Sequence, residues 1–224
     1  LAASPALAQN LTLDLGGEGS LSLRSIQLLV LITVLSLVPG LAVMVTCFPF
    51  IVTVLSILRQ AIGLQQSPPN MLIISLALFL TWYVMDPVFT EAWTTGIEPL
   101  SQGKLDMPSA ITATLAPFRV FMAARLDGDT YAALQALRPG AAIAAVDSPL
   151  SLLVPSFLLS EIQRAFEIGF LIFLPFLIID LVVAAVLMSM GMMMVPPAIV
   201  SLPFKLAFFV VADGWALITG ALVR

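Results

Sequence analysis

Long aliphatic blocks, not alternation or a single amphipathic stripe, dominate the chain. The first covers residues 26–58, well beyond the roughly 20 residues that cross a bilayer, and Pro39-Gly40 and Pro49 interrupt it. An interior proline removes a backbone donor and clashes with the preceding turn, so the block predicts two short helices or one strongly kinked one. Arg59 ends it. A polar linker over 59–70 follows, and after its Pro-Pro pair Asn70 is placed to cap a second apolar helix over 71–85. That helix, about 15 residues long before Asp86, is short for a span. The stretch 26–85 therefore predicts a first broken hairpin.

Residues 86–155 are the least hydrophobic part, with seven carboxylates and four Lys or Arg. They predict an extramembrane helical region, and the acidic bias against Arg59 on the preceding loop favours an exterior location. Within it, 109–124 reads as a helix, "LDGDT" as a loop, and 131–137 as a short helix stopped by Pro139-Gly140. From Ser156 the chain turns helical again, with Glu161, Arg164 and Glu167 spaced as exposed helix neighbours. The apolar run then continues over 168–190, breaks at "GMMMVPP" and resumes over 198–223. The stretch 156–224 predicts a second hairpin whose arms are each long enough to span, with a Met-rich loop at 191–197.

Two charges stand inside these arms: Asp180 in "FLPFLIIDLVVAAVL" and Lys205 in "SLPFKLAFFVV". An isolated charge at a bilayer centre costs about 2.5–3.5 kcal/mol on insertion scales, so each needs a partner or water. At 1.5 Å per helical residue they lie about 16 and 12 Å from the bend, on opposite arms and at similar depth. An ion pair, within the hairpin or between neighbouring copies, would let both persist; each facing water alone, or a proton-relay role for Asp180, are the other readings. Asp213-Gly214 reads as a local bend near a helix end. Pro175, Pro196, Pro197 and Pro203 free backbone groups that hydrocarbon cannot satisfy, so the hairpin belongs in an assembly or along a cavity.

Composition narrows the classes. The 224 residues are 60% hydrophobic and only 10% charged, with a mean hydropathy of +1.10, which excludes an ordinary soluble domain. A net charge of −4 with scattered cations offers no face for nucleic acid. Lacking histidine and holding one cysteine, Cys47, the sequence has no material for a zinc site, an internal disulfide or a Cys/His pair, and Cys47 reads as a small apolar residue. No Walker A motif, catalytic constellation or cofactor-binding pattern is present, so an enzyme is not expected. Ala6-Leu7-Ala8 has the form that precedes signal-peptidase cleavage, which makes 1–8 the end of a secretory signal and 9–25 a polar N-terminal segment.

"MSMGMMMVPP" then becomes informative. Gly191 and the pair Pro196-Pro197 hold the segment as a loop that projects Met192, Met193 and Met194. Methionine has three rotatable bonds and a polarizable sulfur, so a ring of such side chains can close a hole yet reshape around what passes. Filling an irregular core is the competing use.

Three stretches, residues 55–70, 160–197 and 202–215, together resemble the FliP family of flagellar type III export-gate proteins, whose injectisome relative is SctR; the likeness extends over most of 35–223. The resemblance implies an all-α protein of kinked hairpins, lifted largely out of the bilayer plane, that assembles in several copies with FliQ and FliR, and with FlhB and FlhA nearby. The assembly is a helical cone around a pore in the bacterial inner membrane, at the centre of the flagellar basal body, with periplasmic exposure and lipid contact. Unfolded flagellar proteins are its cargo. By position, Met192 to Met194 resemble the family's methionine gasket, Asp180 and Lys205 its inter-subunit charge pair, and Glu161 an acidic residue that joins subunits. One departure stands out: Pro49-Phe50 occupies the place of an expected Thr-Arg pair, losing a basic residue and gaining a break. The rival readings are a small ion-coupled transporter with Asp180 as its ion site, and a membrane scaffold without a pore.

Overall fold

The computed structural model describes residues 21–64, 69–138 and 144–223, and every regular element among them is helical. The expected signal remnant, the first part of the polar N-terminal segment, the middle of the 59–70 linker and the Pro139-Gly140 stop lie outside the described residues. The chain divides into a unit up to Gly40 and a compact unit, Leu41–Arg224.

Helix α1, Leu21–Met44, runs through Pro39-Gly40 without stopping, so the expected break there is not observed. The break falls at residues 45–47. Pro49 creates it: at the first turn of α2, Phe48–Ile62, its missing N–H would be unpaired in any case, and it pre-sets the backbone for a helix start. The Thr46 hydroxyl donates to the Val43 carbonyl at 2.8 Å and accepts from the Phe48 amide at 3.4 Å, closing the turn.

Asn70 does not cap α3, Asn70–Ala92. Pro69 occupies the cap position, and the Asn70 carboxamide oxygen accepts from Arg59 instead. Nor does the helix end before Asp86. It continues through Asp86 and Pro87, widens into a π turn over Trp93–Ile97, and closes as α4, Glu98–Ser101. Asp86 lies on the exposed side of α3, where its carboxylate is not buried in the chain's own core and gives the helix no reason to stop. Gly96 explains the wide turn's position. A Cβ there would lie 2.0 Å from Thr114 Oγ1 and 2.7 Å from the Thr114 amide of α5, Met107–Ala124. Gly96→Ala is expected to lower stability by about 1–3 kcal/mol, the usual cost of overpacking. Gly220→Ala, whose Cβ would meet nothing within 4 Å, is expected to be neutral or stabilising, because alanine is the better helix former. Comparative thermal melts in detergent read both.

Helix α6 is Gly128–Ala136: Asp127 caps it by accepting from the Thr130 amide at 2.8 Å, so most of "LDGDT" is helical. The Thr130 hydroxyl, and after it that amide, hold the Asp127 carboxyl below its ordinary range. Helix α7, Leu150–Ser189, starts six residues before the expected Ser156, carries Pro155 and Pro175 inside it, and so crosses the boundary drawn at 155/156. The returning arm is two helices, α8 (Pro197–Val211) and α9 (Gly214–Val223), bent by 64°. The expected single second arm is thus broken, at the Asp213-Gly214 bend.

The core forms around α2. Phe50, Ile51, Val54, Leu55, Leu58, Ala61 and Ile62 recur at helical spacing and are buried against Ile73, Ala77 and Met85 of α3, Ala165 and Phe176 of α7, and Phe209, Ile218 and Leu222 of α8 and α9. Each large side chain so buried contributes about 1.5–3 kcal/mol. Segments 25–44, 70–101 and 150–189 are long and apolar enough to cross a membrane, and the bent pair α8–α9 passes the same test when joined; α2 is shorter.

Candidate functional site

The second hairpin brings Asp180 and Lys205 together within one chain. Lys205 Nζ donates to Asp180 Oδ2 at 2.7 Å. Two further groups complete the cluster. The Ser201 hydroxyl donates to Asp180 Oδ1 at 2.6 Å, and the ammonium also donates to the Ala61 carbonyl at 3.0 Å. Ser201 could have been found, since it precedes Lys205 by one helical turn on the same face. The carbonyl could not. It belongs to the end of α2, where Gly63 at φ 88 terminates the helix and the last carbonyls lack intrahelical partners. A cation there both satisfies an orphan acceptor and answers the negative end of the helix dipole. One lysine thus ties α2, α7 and α8 together.

The loop that follows α7 presents the methionines outward. The Met192 amide donates to the Leu187 carbonyl at 3.0 Å, closing the end of α7, and Gly191 takes φ 74, a left-handed conformation that glycine adopts freely. Pro196 holds the cap position of α8 and Pro197 its first turn, so the loop proper is residues 190–196. Met192 is 44% exposed, Met193 84% and Met194 98%: they fill no core of their own chain. Below them the arms pack through Phe176, whose ring meets those of Phe208 and Phe209 at 5.9 and 6.4 Å. A wholly apolar groove of about 430 Å³, lined by residues including Val182, Val186, Met190 and Phe204, opens between the same arms.

Glu161 is not an exposed helix neighbour. Its side chain is fully buried, and Arg125, at the end of α5, donates to it twice, Nε to Oε1 at 2.8 Å and Nη2 to Oε2 at 3.2 Å. Both oxygens are therefore engaged inside this chain. The guanidinium lies 5.5 Å from the ring centres of both Phe50 and Phe121, within cation–π reach of each. Phe50, where a basic residue was expected, provides the face for a cation that arrives from α5 instead. Next to this node the Ser160 hydroxyl accepts from the Asp127 amide at 2.9 Å, fastening α6 to α7. Arg164 and Glu167 stay on the exposed face, Glu167 accepting from Gln163 at 3.2 Å. Cys47 is buried, and loss of hydration raises its thiol to about 11, so it is an inert apolar residue at neutral pH. No group of three or more His, Cys, Asp or Glu suited to a metal occurs among the described residues.

An all-helical chain with membrane-span-capable helices, a charge cluster between its arms and a loop of exposed methionines has the architecture of a helical membrane protein. The FliP family profile matches residues 31–222, and the chain belongs to the FliP family. Similar proteins include the flagellar biosynthetic protein FliP of Caulobacter vibrioides, 52% identical over 98% of this chain and 83% of its own length. Those of Agrobacterium fabrum and Bacillus subtilis are 48% and 44% identical, over 92% and 89% of this chain and 86% and 91% of their own lengths.

Proposed function

We propose that this chain is a non-enzymatic, pore-forming subunit of the flagellar type III protein export gate, with a methionine gasket that closes the pore. Several copies assemble with FliQ and FliR, alongside FlhB and FlhA, in the bacterial inner membrane, and unfolded flagellar proteins pass through the centre. The observation that carries this reading is the loop at 190–196: in a member of the FliP family, Met193 and Met194 stand almost fully exposed at the tip of two packed arms. Such exposure costs hydrophobic free energy in an isolated chain and is relieved when copies converge on an axis. Soft side chains converging there exclude water and ions at rest and yield to a polypeptide strand. The gate needs no catalytic group of its own; its part is to hold the seal in register.

The transporter reading loses ground on geometry, since both Asp180 oxygens already accept hydrogen bonds, from Lys205 and Ser201.

Ion conductance of cells or bilayers carrying the assembled gate tests the proposal. Changing Met192, Met193 and Met194 together to alanine is expected to give a clear leak relative to the unmodified gate. Unchanged conductance in a complex shown to assemble normally would overturn the gasket.

A further inference from the structure

The turn at Gly191 gathers Met188, Met190, Met192, Met193 and Met194, half of the chain's methionines, into one short stretch. All five are exposed. Two backbone bonds fold the stretch on itself, the Gly191 amide donating to the Met188 carbonyl at 3.1 Å and the Met192 amide to the Leu187 carbonyl at 3.0 Å. The five side chains therefore spring from the closing turn of α7 and from the loop directly beyond it. Of the others, Met85 and Met122 are buried, and Met44, Met71 and Met107 are exposed on three different helices.

A reshaping seal accounts for methionine at the tip of the loop, but not for all five. Met188 and Met190 flank Ser189, the last residue of α7, where leucine is as apolar and has better-defined rotamers. Sulfur is what sets the five apart. A thioether is a soft, uncharged donor that selects Cu(I), and by the same softness Ag(I), over hard cations. The chain has no histidine and its single thiol, Cys47, is buried, so among the described residues these thioethers are the clustered soft donors that water reaches. The backbone favours a cation at the same place. The loop follows the C-terminal end of a 40-residue helix, the negative end of its dipole, and the last turn of α7 carries no basic residue to answer it.

We propose that Met188, Met190, Met192, Met193 and Met194 form a binding site for a soft monovalent cation, Cu(I) or Ag(I), held by thioether sulfurs from both sides of the Gly191 turn. The ligands are neutral, so binding releases no proton and keeps its strength in mild acid, where a thiolate or imidazole site weakens. A bound ion ties the loop to the end of α7 and fixes side chains that otherwise reshape, so it staples the seal shut. That consequence rests on the reading of the chain as a gate subunit; the binding does not.

Calorimetric titration of silver nitrate into the full chain in detergent, in buffer free of chloride and thiols, tests the site. The expected result is saturable uptake of about one Ag(I) per chain, equally strong at neutral and mildly acidic pH. Joint replacement of the five methionines by leucine should weaken it by more than about tenfold, since no soft donor is left in the turn. Circular dichroism and melting first confirm that this variant folds. The smaller change Met193→Leu with Met194→Leu, confined to the exposed tip, should weaken binding several-fold and serves if the larger one does not fold. Leucine at Met44, Met71 and Met107 should leave binding unchanged. Wild-type affinity in the variants of the turn would overturn the proposal, as would loss of binding on Cys47→Ser or a steep loss in mild acid, since the ligand would then be the thiol. In vesicles carrying the assembled gate, Ag(I) should slow export of flagellar proteins several-fold, and excess free methionine should restore it; unchanged export with the site filled would overturn the staple. If the gate reading itself fails, the chain still binds Ag(I) but forms no complex that exports, which separates the two failures.

Discussion

Replacing Arg125 with alanine is expected to destabilise the fold by about 3–5 kcal/mol, because it strands the fully buried carboxylate of Glu161 without its partner. Burial of an uncompensated ion is the main cost, and loss of the guanidinium's cation–π contacts with Phe50 and Phe121 adds to it. Glu161→Gln should be milder than Arg125→Ala. The amide keeps the shape and offers one acceptor to a guanidinium that is itself 16% exposed and not wholly cut off from water. The double change Arg125→Met with Glu161→Gln should recover much of the loss, as removing both members of a buried pair often does. Melting in detergent, with a double-mutant cycle built from the four chains, measures each term. Equal stability of Arg125→Ala and the parent would show that the pair contributes nothing to the fold.

Asp180→Asn is the second large effect, and its size relative to Lys205→Met is the informative part. Lys205 has a side chain only 7% exposed, whereas that of Asp180 is 34% exposed. Removing the acid leaves an ammonium deep among apolar side chains with no counter-ion, only the Ala61 carbonyl and a neutral amide oxygen to accept from it. Removing the base leaves a carboxylate that keeps the Ser201 hydroxyl and reaches solvent. The expected order of stability is therefore parent, Lys205→Met, then Asp180→Asn, the last losing up to about 3–5 kcal/mol before allowance for the exposed acid. Joint replacement should lie above Asp180→Asn. Proteolytic sensitivity of the full chain in membranes reads the order, and its reversal would mean that the acid, not the base, is the costly member.

The two charge pairs differ in how far the sequence betrays them. Asp180 and Lys205 are visible because each interrupts an aliphatic run and the Met-rich bend between them sets their depths; whether they pair within one chain needed the fold. Glu161 sits beside Arg164 and Glu167 in what reads as an ordinary polar turn, and its partner lies 36 residues earlier, with the whole of α6 and the start of α7 between them, so no local pattern connects them. Asp86 misled for the opposite reason. A charge is a poor guide to where a helix ends when it lies on an exposed side, and α3 runs on past it. Prolines were ambiguous throughout: Pro39, Pro155 and Pro175 lie inside helices, whereas Pro49 and Pro197 begin them. Local sequence fixes the missing donor but not whether neighbouring packing makes its loss tolerable. The methionine loop was legible to within one residue at each end, since glycine and a proline pair bracket it.

Lys205 also constrains how such a hairpin can move. Sliding α8 by a single helical turn, about 5.4 Å, would pull the ammonium away from both Asp180 and the Ala61 carbonyl. The stretch 190–196 is held by backbone bonds within itself, to the end of α7 and, through the Pro196 carbonyl, to the Ile199 amide in the first turn of α8. In the gate proposed above, the arms would be fixed jambs and the methionines a soft seal hung between them: a passing strand would displace the seal while the frame stays where it is, and closing again would need only side chains to fall back, with no helix to return.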